Sequence, residues 1–286
     1  MTDYDLNVLA LGAGVQSTCV LLMANEGLLG DPPDLAIFAD TQWEPPEVYT
    51  QLEWCVAQSS IPIHVVTAGN LRADVLKVVG PPGQKIGRVA NPPFYVRRAD
   101  QEAKETGLAP DDGGKLLRKC TSEYKIEPIH KEIRRYLGYK PHQRVKKRVR
   151  QWFGISIDEA SRMRDSRIPW IDNYYPLVEQ QMSRQDCLKW MQERNYGTPM
   201  KSSCIGCPFH SNATWVHMKK HKPHDWADAV DFDHRLRKGK LPGVTGDAYL
   251  HRRFKPLEEA ILHDYDPNQL PLFDEFEEEC EGMCGL

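Results

Sequence analysis

The chain has 286 residues, 41% of them hydrophobic and 27% charged, with a formal net charge of −3. Such totals belong to an ordinary globular chain able to bury one large core or two modest ones, and its near-balance of charge neither demands nor excludes a nucleic-acid partner. No run approaches the roughly 18 apolar residues of a membrane span, and MTDYDLN at the start has no signal-peptide character, so a cytoplasmic protein with no membrane partner is expected.

Taken in chain order, LNVLAL (6–11) reads as a strand, followed by a helix from about Ser17 to Glu26. LAIFAD (35–40) precedes the helical PPEVYTQLEWCVAQ, and PIHVVTA (62–68) precedes the helical LRADVLKVV. Short β-rich runs separated by helices imply an α/β protein with a doubly wound parallel sheet. Ligands of such sheets sit at the carboxyl ends of strands, which directs attention to the loops after Leu11 and after Asp40.

Residues 80–119 are rich in Gly, Pro and charge and read as one long loop able to cover a site. Ile126, Ile129, Ile133 and Leu137 then recur at helical spacing, and WFGISI reads as another strand. SRQD (183–186) is a capping-box-like start for a helix through Arg194, with Asp in place of the usual Glu. Beyond Cys207 the chain reads as helical to about Asp264, ahead of an acidic tail. The expected division is a nucleotide-binding α/β domain over residues 1–200 and a mainly helical, cysteine-containing region over 201–286.

The turn that follows Leu11 holds Gly12, Ala13 and Gly14, with Gln16, Ser17 and Thr18 opening the helix. Backbone N–H groups in such a turn face an anion, the helix start adds its positive dipole end, and the hydroxyls of Ser17 and Thr18 add donors. The stretch does not fit the Walker pattern, which requires a lysine ahead of Ser or Thr. It resembles instead the PP-loop, SGGxDS, of the adenine nucleotide α-hydrolase-like superfamily. Gly12, Ala13, Gly14, Val15, Gln16 and Ser17 take the six positions, with Val15 where lysine is common and Gln16 in place of the Asp.

Further stretches resemble adenylyl-sulfate and phosphoadenylyl-sulfate reductases, in the order in which that family carries them. FADTQWEPPEVY (38–49) is similar to the segment DTGxxxPETY, which adds Asp40 and Thr41 to the nucleotide-binding candidates. CTSEYKIEPI (120–129) is similar to CCxxRKVxPL, GISIDEASR (154–162) to a segment beginning GIR, and YPLVEQQMSRQDCLKWM to PLxxWTxxDVWxY without its Trp. Arg162 and Arg118 are anion-binding candidates, while the family Arg of GIR is Ser156 here.

Eight cysteines in a cytosolic chain are ligands, nucleophiles or core residues rather than disulfides. Cys19, Cys55 and Cys187 fall in apolar or helical stretches and read as core. Cys204 and Cys207 form CIGC, and Cys280 and Cys284 form CEGMC near the end. These two pairs by themselves suit a tetrahedral zinc site. In the iron–sulfur type of the resembled family, a CC pair and a later CxxC hold a 4Fe-4S cluster. The resemblance therefore implies Cys120, Cys204 and Cys207 as cluster ligands, with Thr121 in the place of the fourth. Cys280 folding back completes the set and leaves Cys284, in MCGL, matching the nucleophilic cysteine of the family's C-terminal tail; the reverse assignment, with Cys284 as ligand, is equally buildable. His210 follows three residues after Cys207 and reads as a helix-edge or surface histidine.

KPHQRVKKRVR (140–150) is dense in Lys and Arg and reads as a solvated face or as a lining of the active-site mouth that attracts an anionic substrate. Three functions compete. In the first, a sulfonucleotide reductase, the Cys284 thiolate attacks the sulfur of an adenylyl sulfate, AMP leaves, and a thiol reductant such as thioredoxin releases sulfite. In the second, an ATP-dependent sulfur transferase with a 4Fe-4S cluster thiolates tRNA or DNA. The third is a non-catalytic nucleotide-binding module with a structural zinc. Oligomeric state is not legible in the sequence.

Overall fold

Leu6–Leu11 is buried at every position, which a strand tolerates only where both faces of its sheet are covered. In the computed structural model, which describes residues 4–79, 91–97, 113–200, 202–239, 241–244, 246–260 and 262, this segment is the central strand, β1. In chain order there follow α1 (Val15–Asn25), β2 (Leu35–Asp40), α2 (Pro46–Gln58), β3 (Ile63–Thr67), α3 (Leu71–Val78), β4 (Tyr95–Arg97) and β5 (Gly114–Lys115). A π-helical turn (Ser122–Ile126) leads into α4 (Glu127–Tyr136), then β6 (Val149–Phe153), a 3-10 turn (Ile157–Arg162) and β7 (Ile171–Tyr174). The remainder is α5 (Pro176–Glu179), α6 (Arg184–Glu193), α7 (Asn212–His221), α8 (Pro223–Lys238) and β8 (Asp247–Tyr249). Among the described residues no helix is long and apolar enough to cross a membrane.

The chain divides into two units. Of the described residues, one takes in those up to 68 and 121–203; the other takes in those of 69–120 and 204–262.

The first unit is the expected doubly wound α/β layer. Its five strands are ordered β3-β2-β1-β6-β7 and all pairs are parallel. Alternate residues of β1 face opposite layers. Leu9 and Leu11 pack with α1, α2 and α6 residues, including the fully buried Cys19, Cys55 and Cys187. Val8 and Ala10 pack with Ile129 and Ile133 of α4. The helix at Arg184 starts on the full capping box expected from SRQD: the Ser183 hydroxyl accepts the Asp186 N–H, and the Asp186 carboxylate accepts the Ser183 N–H.

The strand expected at WFGISI instead spans Val149–Phe153, and Gly154 ends it. Register fixes where the basic segment lies: Leu6 is level with Val149 and Ala10 with Phe153. Residues 140–148 therefore enter at the amino end of the sheet, one strand length from the turn after Leu11. Of the two readings of KPHQRVKKRVR, the solvated face agrees with the exposed residues 140–144 and 146–148, and the lining of the active-site mouth does not.

The second unit holds a three-stranded antiparallel sheet, β5-β4-β8, with α3, α7 and α8. Phe94 packs against Phe232, and Asp233 is buried with its carboxylate accepting the N–H groups of Leu250 and Leu257. Short strands β4 and β5 occupy described parts of what reads as one loop, and β8 interrupts the expected helical stretch. Residues 98–112 and the acidic tail lie outside the described residues.

Candidate nucleotide site

The turn after β1 is built to leave a helix start open. Ala13 takes φ +56, the left-handed region that costs an L-residue about 1 kcal/mol. Gly14 is the extended N-cap of α1 and offers no side-chain cap. Thr18 N–H reaches Gly14 O (3.1 Å), so the N–H groups of Val15, Gln16 and Ser17 have no intrahelical carbonyl. With no acidic residue in the first turn, the positive end of the helix dipole is uncompensated there. Orphan donors and dipole together suit a phosphate.

The two hydroxyls differ. Ser17 Oγ accepts the Gly12 N–H (3.1 Å), which closes the loop on itself. Thr18, expected to donate to the same anion, instead lies 3.8 Å from Cys55 Sγ and braces α1 against α2. Burial pushes the Cys55 thiol pKa up.

β6 supplies the opposite wall. A Cβ on Gly154 would overlap the backbone N and Cα of Ser17, so only glycine lets this turn lie against the first turn of α1. Gln16, which is fully buried, donates to Glu159 Oε2 (3.1 Å) and Ser156 Oγ (3.4 Å). Glu159 in turn pairs with Arg162. Gly12–Ser17 and 154–162 thus meet where chain order reverses between β1 and β6, the switch point at which sheets of this kind bind ligands.

Beyond β2, Asp40 Oδ1 accepts the Gln42 N–H (2.7 Å) and the Tyr49 hydroxyl (2.9 Å). Burial, together with that bond to Asp40, raises the Tyr49 pKa. Thr41 is buried and donates to Glu44 Oε1 (3.0 Å). Asp40 and Thr41 thus spend these bonds organising the turn that flanks the site.

The residue that sequence reasoning missed is Lys125. Its side chain is 7% exposed, pairs with Glu44 at 3.5 Å, and lines a cavity with Gly12, Leu11, Phe38 and Ala39 at the carboxyl ends of β1 and β2. Lys125 comes in on the π-helical turn, far along the chain from the glycine loop. The signal was present in CTSEYKIEPI, where Lys125 stands at the lysine of CCxxRKVxPL. π turns occur often at functional sites.

In the second unit, Cys204 and Cys207 lie on one tight turn, with the Cys207 N–H donating to Cys204 O (3.1 Å). His210, expected near the surface, is buried: its Nε2 bonds Cys204 O (3.0 Å), and its ring meets Trp215 edge-on. It pins the turn. Cys120, Cys204 and Cys207 are each half-buried. Lys115 and Arg118 both sit over the Phe209 ring, so Arg118 is held beside the residue that follows Pro208. As donors the three thiols suit iron–sulfur or zinc. Among the described residues, however, no three His, Cys, Asp or Glu side chains gather as a metal site. Cys280 and Cys284 lie outside the described residues.

No protein-family model and no curated protein matches the sequence of the chain. Solved structures do. The chain is similar in fold to phosphoadenylyl-sulfate (PAPS) reductase from Candida auris in a phosphate complex, at 15% identity over 67% of this chain and 74% of that one, with a TM-score of 0.37. It is also similar to the U34-tRNA thiolase NcsA from Methanococcus maripaludis with its 4Fe-4S cluster, at 10% identity over 81% of this chain and 72% of that one, with a TM-score of 0.38. Both are likenesses of fold, and the site described above stands on its own geometry.

Proposed function

We propose that the chain is a PP-loop enzyme of sulfur chemistry that binds an adenine sulfonucleotide at the carboxyl ends of β1 and β2. The observation that carries this reading is Lys125, a buried lysine that lines a small cavity with Gly12 at the carboxyl ends of β1 and β2, where the uncapped start of α1 follows. The α-phosphate takes the N–H groups of Val15, Gln16 and Ser17, and Lys125 meets the remaining negative charge from the other side. Ser17 keeps its own hydroxyl proton for the same anion. Arg162, Asp40 and Thr41 border this site as positioning groups.

The charge balance favours a sulfonucleotide over ATP. Magnesium-bound ATP draws on one or two protein carboxylates. Here the loop carboxylate is replaced by neutral Gln16, and nearby Glu159 is paired with Arg162. In the proposed step the Cys284 thiolate attacks the sulfur of the sulfuryl group and an S–S bond forms. The S–O bond to the phosphate breaks, and AMP leaves with the electron pair. A thiol reductant of the thioredoxin kind then attacks the cysteine sulfur, sulfite departs, and a disulfide remains.

Cys204 and Cys207 supply two thiols on one pinned turn, which fits part of a soft-metal site and not a whole one. A 4Fe-4S cluster completed by Cys120 and Cys280 is the centre we favour, with zinc as its rival. No step above is routed through it.

Turnover tests the reading. Adenylyl sulfate with a dithiol should give AMP and sulfite in equal amounts, and Cys284→Ser should give neither. Pyrophosphate release from ATP, dependent on added tRNA or DNA, would replace this reading with the sulfur transferase. Tight nucleotide binding with no turnover of either would leave the binding module.

A further inference from the structure

The basic segment that the sequence singles out has no part in the nucleotide site, being at the opposite end of the sheet. Leu6 of β1 is level with Val149, so the loop that precedes Val149 sits about 16 Å of strand away from the glycine turn.

That loop is held in one shape by its own contacts. Arg134 donates to Lys140 O (2.9 Å) and to Gln143 O, and the Gln143 side chain accepts the Lys140 N–H (2.9 Å). The Tyr139 hydroxyl accepts the Lys146 N–H (3.1 Å), Asp5 accepts the Arg148 N–H (2.8 Å), and buried Val145 anchors the middle. The backbone is fixed and the charges point out. Lys140, Arg144, Lys146 and Lys147 are exposed, and among the described residues none of them pairs with a carboxylate. Acids along these elements have other partners: Asp5 the Arg148 N–H, Asp172 the Arg148 side chain, and Glu132 both Arg135 and His64.

Beside the loop is a stack of planar groups. Arg148 and Arg150 lie over the Tyr4 ring (4.8 and 4.3 Å), and Arg150 also lies 5.0 Å from the Tyr174 ring. Fixed, unpaired cations next to tyrosine-backed guanidinium planes suit a chain of phosphodiesters carrying bases that stack. A membrane surface is a poorer fit, because no large exposed apolar side chain lies between residues 139 and 150 to enter it.

We infer that the face formed by residues 140–150 with Tyr4 and Tyr174 binds the phosphodiester backbone of a nucleic acid. This does not rest on the sulfonucleotide reading.

The test is fluorescence anisotropy with the full chain, titrated into a labelled 20-mer of single-stranded RNA, the same sequence as DNA, and bulk tRNA, from 50 to 200 mM salt. Binding should weaken steeply with salt. Lys146→Gln with Lys147→Gln should reduce the slope of log affinity against log salt by about 1.4–1.8. Adding Lys140→Gln and Arg144→Gln should weaken binding roughly tenfold or more, while Lys220→Gln, on α7, changes nothing. Each variant should keep wild-type affinity for AMP, which separates this face from the glycine loop. Tighter binding of RNA or of DNA identifies the source, and either supports the inference. No binding at 50 mM salt overturns it. So does binding indifferent to the fourfold variant, or association with anionic phospholipid vesicles and with none of the nucleic acids.

Discussion

Lys125 Nζ lies 3.5 Å from Glu44 Oε1, with the two side chains 7% and 1% exposed. A buried pair of this kind is a poor source of net stability, because desolvation offsets much of the attraction. Its position explains it better: Lys125 lines the same cavity as Gly12. Lys125→Met should lower affinity for AMP and adenylyl sulfate by about 10- to 100-fold, the size of a lost hydrogen bond to a charged group. Because the single change strips Glu44 of its cation, Lys125→Met with Glu44→Gln is the better folded comparison. Wild-type affinity in that double variant, measured by calorimetry, would remove Lys125 from the site.

Gly154 sets how closely the turn after β6 approaches α1. Gly154→Ala places a methyl group against the backbone of Ser17, where no flexible side chain is available to yield. Overpacking of this kind costs about 1–3 kcal/mol. The expected outcome is a lower urea midpoint together with weaker nucleotide binding, since the displaced atoms belong to the turn proposed to hold the phosphate. A midpoint and an affinity both equal to wild type would contradict the packing described.

Much of the sheet was legible in the sequence. LNVLAL and LAIFAD are buried, apolar and flanked by turn residues, and they form β1 and β2 as read. What escaped was short or polar. Ile171–Tyr174 (IDNY) carries one strongly apolar residue, and β4 and β5 are three and two residues long, too brief for a periodic signal. The glycine loop was legible because its backbone geometry depends on adjacent residues. Lys125 stands at a motif lysine in CTSEYKIEPI, but its place beside Gly12 was not legible, because that depends on how the π-helical turn and α4 pack against the sheet. The contact of Thr18 with Cys55 was hidden for the same reason: Cys55 comes from α2.

His251 makes stability depend on pH. Its Nε2 bonds Asn212 Oδ1 (3.0 Å), and its Nδ1 accepts the Arg253 N–H (3.3 Å), an arrangement that requires the neutral ring. Burial, aided by Arg252 and Arg253, lowers its pKa to about 4. The unfolded chain, with a histidine pKa near 6.5, takes up this proton first. Stability contributed by the neutral ring is therefore complete above about pH 6.5 and declines as pH falls towards about 4. Thermal midpoints between pH 7 and 4 should fall less steeply in His251→Gln than in the wild type. Parallel curves would show that another group titrates.

Metal content separates the two proposed centres. Protein purified without oxygen should carry about four iron and four sulfide per chain. Both should be lost in Cys204→Ser with Cys207→Ser, and reduced in Cys120→Ala. One zinc without iron, indifferent to Cys120, would make the cysteine pairs structural and remove the basis for a cluster.

The most direct test of the nucleotide site is calorimetric titration of adenylyl sulfate and AMP into wild-type protein and Gly14→Asp. Gly14 is the N-cap of α1, so an aspartate there sets a carboxylate among the N–H groups assigned to the phosphate. The wild type should bind both ligands and the variant neither, with the far-UV circular dichroism of the two proteins alike. Unchanged affinity in Gly14→Asp would contradict this and move the nucleotide away from this loop.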